Sequence, residues 1–406
     1  MVPWAYNKAM GPTAFVDTSA LARNLRLLMQ AARGKVAFPV IKAQAYGHDA
    51  ALVARALSAE FSVDQMPYFC VARSTELAPL ALLGLPQKFL LLSEVDWEWH
   101  AQNSHVANLA WALVSAGDLR RWTEHRARVT TLNHVHLKIN TGMNRLGLRE
   151  GDVRELLPKL KAAVRDGLVV EGVMTHFWNS DAGTSADTET QAQTFARVLK
   201  LLESEGLLTE TTWVHAENSA ALRWQLPSET KARWAFRPGI HLWGYGLDAE
   251  YRRVDKFTRQ LSPAMAVGAP IRQLLTLAPE EGLSYGWRYR HAGPSSYRVA
   301  TVPLGYADGI PREFSWDGRG SAKVFLVVKG KLCPIISTVT MDMVMIKLDA
   351  GIANAVNEDT YAYWLHPKHQ TAYDIAEQMR TISYEVLCRV SARVPRRAIA
   401  GEGDLP

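Results

Sequence analysis

Cysteine is scarce in this chain: Cys70, Cys333 and Cys388 are the only three in 406 residues. They lie far apart, and none falls in a C-x-x-C pair. This excludes a disulfide-framed fold and a cysteine-based zinc site, and it suits a reducing compartment. Long apolar runs are missing as well. No stretch approaches the ~20 apolar residues of a membrane-spanning helix, and the N-terminal MVPWAYNKAMGPTAF lacks the basic-then-apolar order of a secretory leader. A cytoplasmic protein with no membrane partner is expected. Charge of one sign is not concentrated anywhere. The 46 basic and 40 acidic residues, net +6, are spread along the chain without a basic run interleaved with aromatics, so no nucleic-acid partner is expected. No cluster has the spacing of metal ligands, and no metal is expected.

What is present is a folded chain, 48% apolar and too long for one ordinary core, which indicates two domains. Over the first ~245 residues, short β-rich runs alternate with longer amphipathic stretches. The strand candidates are Val36–Ala43, Tyr68–Arg73, Phe89–Ser93, Leu109–Ser115, His134–Asn140, Val169–Phe177, Thr212–Asn218 and Trp234–Trp243, with helices expected near 50–60, 117–127, 150–165 and 188–206. Eight βα repeats suggest a closed (β/α)8 barrel over 12–248. An open doubly wound sheet is the rival, but it would need a glycine-rich phosphate turn after the first strand, and KAQAYGHDA has none. From 249 to 406 the texture becomes β-rich, with one late helix expected over Ala372 to Val390. This reads as a mainly β C-terminal domain, to which the segment 1–11 is assigned.

Lys42 closes the apolar run Phe38-Pro39-Val40-Ile41. A buried ammonium is unfavourable unless it is paired, shifted or chemically used. Other unusual polar residues also fall at expected strand ends: Lys138 with Arg145, His176, Asn218 with Ser219, and Arg237. Each alone reads as an ordinary loop hydrogen-bonder. In a barrel, however, strand C-termini share one rim, and five of them carrying such groups point to a site. A desolvated amine suits imine chemistry with an aldehyde. The segments ENSAA (217–221) and RPGI (237–240) offer N–H groups and a hydroxyl for a phosphate. Pyridoxal phosphate carries both functions.

The segments VIKAQAYGHDA, HLKINTGMNRLGL, MTHF, NSAA, RPGIHLWGYG, LSYGWRYR, VPLGYADGIPR, TMDMVMIKL and YEVLCRVSARVPR resemble, in order and spacing, the motifs of alanine racemases across nearly the whole chain. The resemblance implies interconversion of L- and D-alanine with pyridoxal phosphate, by a homodimer whose active sites are composite. Carried over position by position, Lys42 would hold the cofactor covalently. Tyr46, Ser219, Gly239, Ile240 and Tyr384 would bind its phosphate, with Asn218 beside them, and Arg237 would face the pyridine nitrogen. Tyr285 would be a second base opposite Lys42, aided by His176 and Arg237 through hydrogen bonds. Arg145 and the N–H of Met341 would meet the substrate carboxylate. Lys138 would be carbamylated, since it and Arg145 are two cations that call for an anion between them.

The chain departs from the family pattern at Gln44, Asp49, Asn140, Trp178 and Ser337-Thr338, none of which removes a catalytic group. Asn140 and Trp178 fall near the expected rim, so a broader or serine-preferring racemase is the alternative to alanine. Supply of D-alanine for the cell wall and catabolism of L-alanine both fit the chemistry. Two further rivals are a decarboxylase on the same barrel and a barrel protein that only carries the cofactor. Arg237 and Tyr285 argue against the first, and the ~150-residue second domain argues against the other.

Overall fold

The computed structural model describes residues 11–181, 186–224, 230–247, 250, 255–316 and 324–406. The chain divides into two compact units, one built from residues up to Leu21, Tyr46–Asp49 and Trp243–Pro406, the other from Ala22–Ala45 and Ala50–Leu242.

The first described strand, β1 (Thr13–Asp17), belongs to the first of these units. The other unit holds β2 (Val36–Ala37), β3 (Tyr68–Arg73), β4 (Lys88–Glu94), β5 (Leu109–Leu113), β6 (His134–Lys138), β7 (Val169–Met174), β8 (Trp213–Asn218) and β9 (Arg233–Arg237). They form one eight-stranded sheet, in order β2-β9-β8-β7-β6-β5-β4-β3, with every pairing parallel. A parallel bridge between Val40 and Cys70 joins the two ends, through hydrogen bonds of 2.8 Å from Cys70 N to Pro39 O and from Ile41 N to Cys70 O. The sheet is therefore closed. Its strands are buried on both faces, which is why they read as near-continuous apolar runs. Helices Ala50–Glu60, Ala116–His125, Glu150–Arg165 and Ala186–Ser204 follow where the apolar period of three to four residues placed them; the third buries Val153, Leu156, Leu160 and Ala163.

The β-rich unit contains β10 (Met265–Pro270), β11 (Gln273–Leu277), β12 (Gly282–Leu283), β13 (Tyr289–Arg290), β14 (Tyr297–Val302), β15 (Phe325–Val328), β16 (Lys331–Pro334), β17 (Val344–Lys347), β18 (Tyr361–Leu365) and β19 (Arg396–Ile399). A six-stranded sheet runs β16-β15-β18-β10-β1-β19, and β11-β14-β17 form a second sheet. Phe15, Ala266, Val327, Tyr363 and Ile399 make one core, while Leu277, Leu283, Val299 and Ile336 make another.

The structure departs from the sequence reading in three places. β1 had been included in the barrel segment 12–248, but it pairs antiparallel with β10 and parallel with β19. The proposed junction at 248–249, and residues 1–10 of the N-terminal segment, lie outside the described residues. The first barrel strand ends early, because the backbone at 43–46 turns left-handed. The late helix is two helices, Ala372–Met379 and Ser383–Cys388, separated where Arg380 adopts φ 54° and caps the first.

Candidate active site

Lys42 is half-buried and follows Ile41, which is fully buried. Beyond it Ala43, Gln44, Ala45 and Tyr46 adopt φ of 52 to 54°, a complete left-handed turn without glycine. Each such residue costs roughly 1–2 kcal/mol, so the turn must be held in place. Glu76 does part of this. Its Oε1 accepts from Ala43 N at 2.6 Å, and its Oε2 accepts from Ala72 N at 2.6 Å and Arg73 N at 3.1 Å, fastening the turn to the end of β3. Ala45 N closes the turn on Ile41 O at 2.8 Å.

Lys42 belongs to a set of cations. Burial, reinforced by Arg237, Arg145 and Lys42, pushes the Lys138 amine down to about 8. His176 is held well below its ordinary value, first by burial and then by Arg237, Arg145, Lys138 and Lys42. Burial also lowers Arg237, to about 10. The carboxylate that acts on Arg237 is Glu217, whose Oε1 is taken by Lys35 Nζ at 2.5 Å. Lys138 and His176 thus both lie in the field of Lys42, Arg145 and Arg237.

Arg237, only 4% exposed, spends its two terminal nitrogens on neutral acceptors. Nη1 reaches His215 Nδ1 at 2.6 Å and His215 O at 2.5 Å; Nη2 reaches Thr175 O at 2.5 Å and Ala216 O at 3.1 Å. Behind His215 stands His136, its Nδ1 2.7 Å from His215 Nε2. Sequence reasoning passed over both histidines because it searched strand ends. The signal available was the alternation in HVHLK, which sets His136 on the same face as Lys138.

Ser219 Oγ accepts from Gly239 N at 2.8 Å and from His241 N at 3.4 Å, which ties the end of β8 to the turn after β9. Ile240 opens the 3₁₀ turn Ile240–Trp243. Asn218 holds loops together instead of facing outward: Oδ1 accepts from Ser180 Oγ at 2.8 Å and Ala221 N at 3.0 Å, and Nδ2 donates to Phe177 O at 3.2 Å. At the rim, Asn140 Oδ1 accepts from Gly142 N and Asn144 N, and Trp178 is half exposed.

In the β-rich unit the Tyr46 ring lies 5.9 Å from that of Tyr384 and 5.5 Å from that of Trp243. Tyr285 is 75% exposed, in a short turn after β12. Met341 is 52% exposed, and its carbonyl accepts from Ala307 N.

A family model described as alanine racemase, N-terminal domain, matches residues 16–246, and one described as alanine racemase, C-terminal domain, matches 264–398. An alanine racemase of Carboxydothermus hydrogenoformans is 33% identical over 389 residues, covering 94% of this chain and 98% of that protein. The solved alanine racemase of Clostridium difficile superposes with a TM-score of 0.84 at 26% identity, covering 97% of each chain. The fold is also that of the alanine racemase from Bartonella henselae with covalently bound pyridoxal phosphate, with a TM-score of 0.76 at 22% identity, covering 96% of this chain and 100% of that one. With both of its domains matched in order along the chain, this protein belongs to the alanine racemase family, isomerases that interconvert L- and D-alanine with pyridoxal phosphate.

Proposed function

We propose that the family reaction is carried out here by Lys42 and Tyr285, with pyridoxal phosphate held at the barrel mouth. The observation that carries this reading is the cationic set around Lys42. Arg237, Arg145 and Lys42 act on Lys138, all four act on His176, and Glu217, the carboxylate that acts on Arg237, is already engaged by Lys35. Such donors fit a group that presents an aldehyde to an amine and brings a phosphate, together with a substrate carboxylate. Ser219 fits as well: its oxygen accepts two N–H groups while its own proton goes to no acceptor among the described residues.

When bound, the cofactor supplies a sink for the electron pair left as the Cα proton departs. Lys42 and Tyr285 would remove and return that proton from opposite faces, the minimum apparatus for inverting a centre. Arg145 and the Met341 N–H would orient the substrate carboxylate. Arg237 does not surrender its proton, so it would donate to the ring nitrogen without protonating it and restrain competing reactions. His176, kept neutral among cations, would link Arg237 to the phenol. Ser219, Gly239 and Ile240 would hold the phosphate, and we assign Tyr46 and Tyr384 to the same group by resemblance, with Asn218 as the brace beneath. Lys138 is proposed to be carbamylated, giving Arg145 an anion that it lacks among the described residues.

Tyr285, Trp287, Tyr306, Met341 and Met343 are all exposed large apolar residues of the β-rich unit. A surface of this kind favours burial against another chain. We assign Tyr285 and Met341 to the site of a partner copy, in a symmetric homodimer with composite sites. Among the described residues no helix is long and apolar enough to cross a membrane, and the three cysteines are free thiols, which supports a cytoplasmic location.

Borohydride treatment of the purified enzyme, followed by peptide mapping, tests the assignment. The reduced cofactor is expected on Lys42, and chiral chromatography of a panel of amino acids is expected to show alanine racemised ahead of serine. Label on another lysine, or none after incubation with pyridoxal phosphate, would overturn it.

A further inference from the structure

The proton positions along Arg237, His215 and His136 follow from the contacts. A guanidinium only donates, so the 2.6 Å contact between Arg237 Nη1 and His215 Nδ1 makes that nitrogen an acceptor. If His215 also accepted at Nε2 it would be an imidazolate, so Nε2 carries the proton and donates to His136 Nδ1 at 2.7 Å. His136 is then itself an acceptor at Nδ1, with its proton on Nε2. The chain of donation runs one way, from Arg237 inward.

The barrel is shaped around this arrangement. The two imidazoles meet edge to face, centroids 4.9 Å apart at 70°, and both are fully buried. Residue 172, on the neighbouring strand β7, is glycine, and a Cβ there would stand 2.2 Å from His136 Nδ1. Tyr68 meets His136 edge to face at 5.3 Å and leaves the ring little freedom to turn. Burial is the largest cause holding both histidines below their ordinary values, His136 at about 3, so neither becomes a competing cation beside Arg237.

We propose that His136 is a positioning residue for racemisation: by accepting from His215 it locks that imidazole in the Nε2–H tautomer, which presents Nδ1 to Arg237 and fixes the guanidinium plane. This rests on the reading that Arg237 faces the cofactor ring. A histidine free to take the other tautomer would point an N–H at Arg237, and the guanidinium would have to rotate away.

Imidazole ¹⁵N spectra of the holoenzyme, labelled at histidine, test the tautomers without reference to activity. His215 and His136 should each show a bare Nδ1 and a protonated Nε2, unchanged from pH 6 to 9. A protonated Nδ1 on either ring, or an imidazolium near neutrality, would overturn the proposal. The variants His136→Asn and His136→Leu test the positioning. Asparagine offers an oxygen near the Nδ1 position and should keep kcat within about twofold, whereas leucine should lower kcat by about tenfold or more. Leucine should also move the absorbance spectrum of the bound cofactor and its pH profile, while asparagine should not. Equal losses in both variants, with the cofactor spectrum unmoved, would leave His136 a packing residue and defeat the proposal. Should the leucine variant fail to fold, the spectra of the parent enzyme still decide. Correct tautomers in a protein lacking borohydride label at Lys42 would instead count against the active-site reading.

Discussion

Arg393 Nε donates to Asp308 Oδ1 at 2.8 Å, and its Nη2 meets Asp342 Oδ1 at 2.9 Å. Asp308, 1% exposed, also accepts from Gly305 N through Oδ2. The arginine therefore fastens the segment Gly305–Gly309 to the turn that carries Met341, whose carbonyl lies so near Gly305 that a Cβ there would stand 2.2 Å from it. Asp308→Asn is expected to destabilise the protein by about 2 kcal/mol, a buried and partly solvated charge pair having been broken. It should raise KM for alanine more than it lowers kcat, because the Met341 N–H would lose its fixed position. Denaturant midpoints and initial rates measure both, and an unchanged KM would detach Arg393 from the substrate.

Lys138 sets a pH expectation. An ordinary lysine amine near 10.5 is almost wholly protonated at pH 7, whereas one near 8 is about a tenth neutral, and only the neutral amine combines with CO2. Carbamylation should therefore rise with pH through 8 in bicarbonate, and it should be lost on acidification below pH 6 in CO2-free buffer. ¹³C NMR of enzyme in labelled bicarbonate reads it directly. A resonance that persists in Lys138→Ala would place the carbamate elsewhere.

Gly172→Ala forces a methyl group against the His136 ring at 2.2 Å. Overpacking of this kind costs about 1–3 kcal/mol, and the displaced ring disturbs His215 and Arg237 as well. Thermal unfolding should show the lost stability, and kcat should fall with it. A variant as stable and as active as its parent would mean that the His136 pocket is looser than the contacts indicate.

Complementation tests the composite site. Co-refolding Lys42→Ala with Tyr285→Phe should give mixed dimers with one doubly damaged and one intact site, so that activity recovers toward half per mixed dimer. If the two residues act within one chain, every site carries a lesion and no activity returns even after mixed dimers are isolated.

The barrel was legible because strands buried on both faces must be apolar throughout, and runs such as Tyr68–Arg73 and Leu109–Leu113 have few other readings. The rim residues were legible because polar groups at the ends of such runs stand out. The turn at 43–46 was hidden, since Ala-Gln-Ala-Tyr carries no left-handed preference of its own and is held by Glu76, some thirty residues on. The break at Arg380 was hidden for the same reason: nothing local distinguishes it from a helical arginine. β1 was misplaced because its partners β10 and β19 lie far along the chain, and no local pattern encodes a non-local pairing.

The left-handed turn after Lys42 has a stereochemical consequence. A backbone at φ 52° and ψ 50° is strained for an L-residue and is the relaxed helical conformation of its mirror image. Ala43 is exposed there, with its N–H already bonded to Glu76. An enzyme assembled by peptide ligation with D-alanine at position 43 should therefore be more stable than the all-L chain, by about 1 kcal/mol. In that protein the D-enantiomer of alanine, one of the two forms the family interconverts, would be the better building block for the turn that follows Lys42.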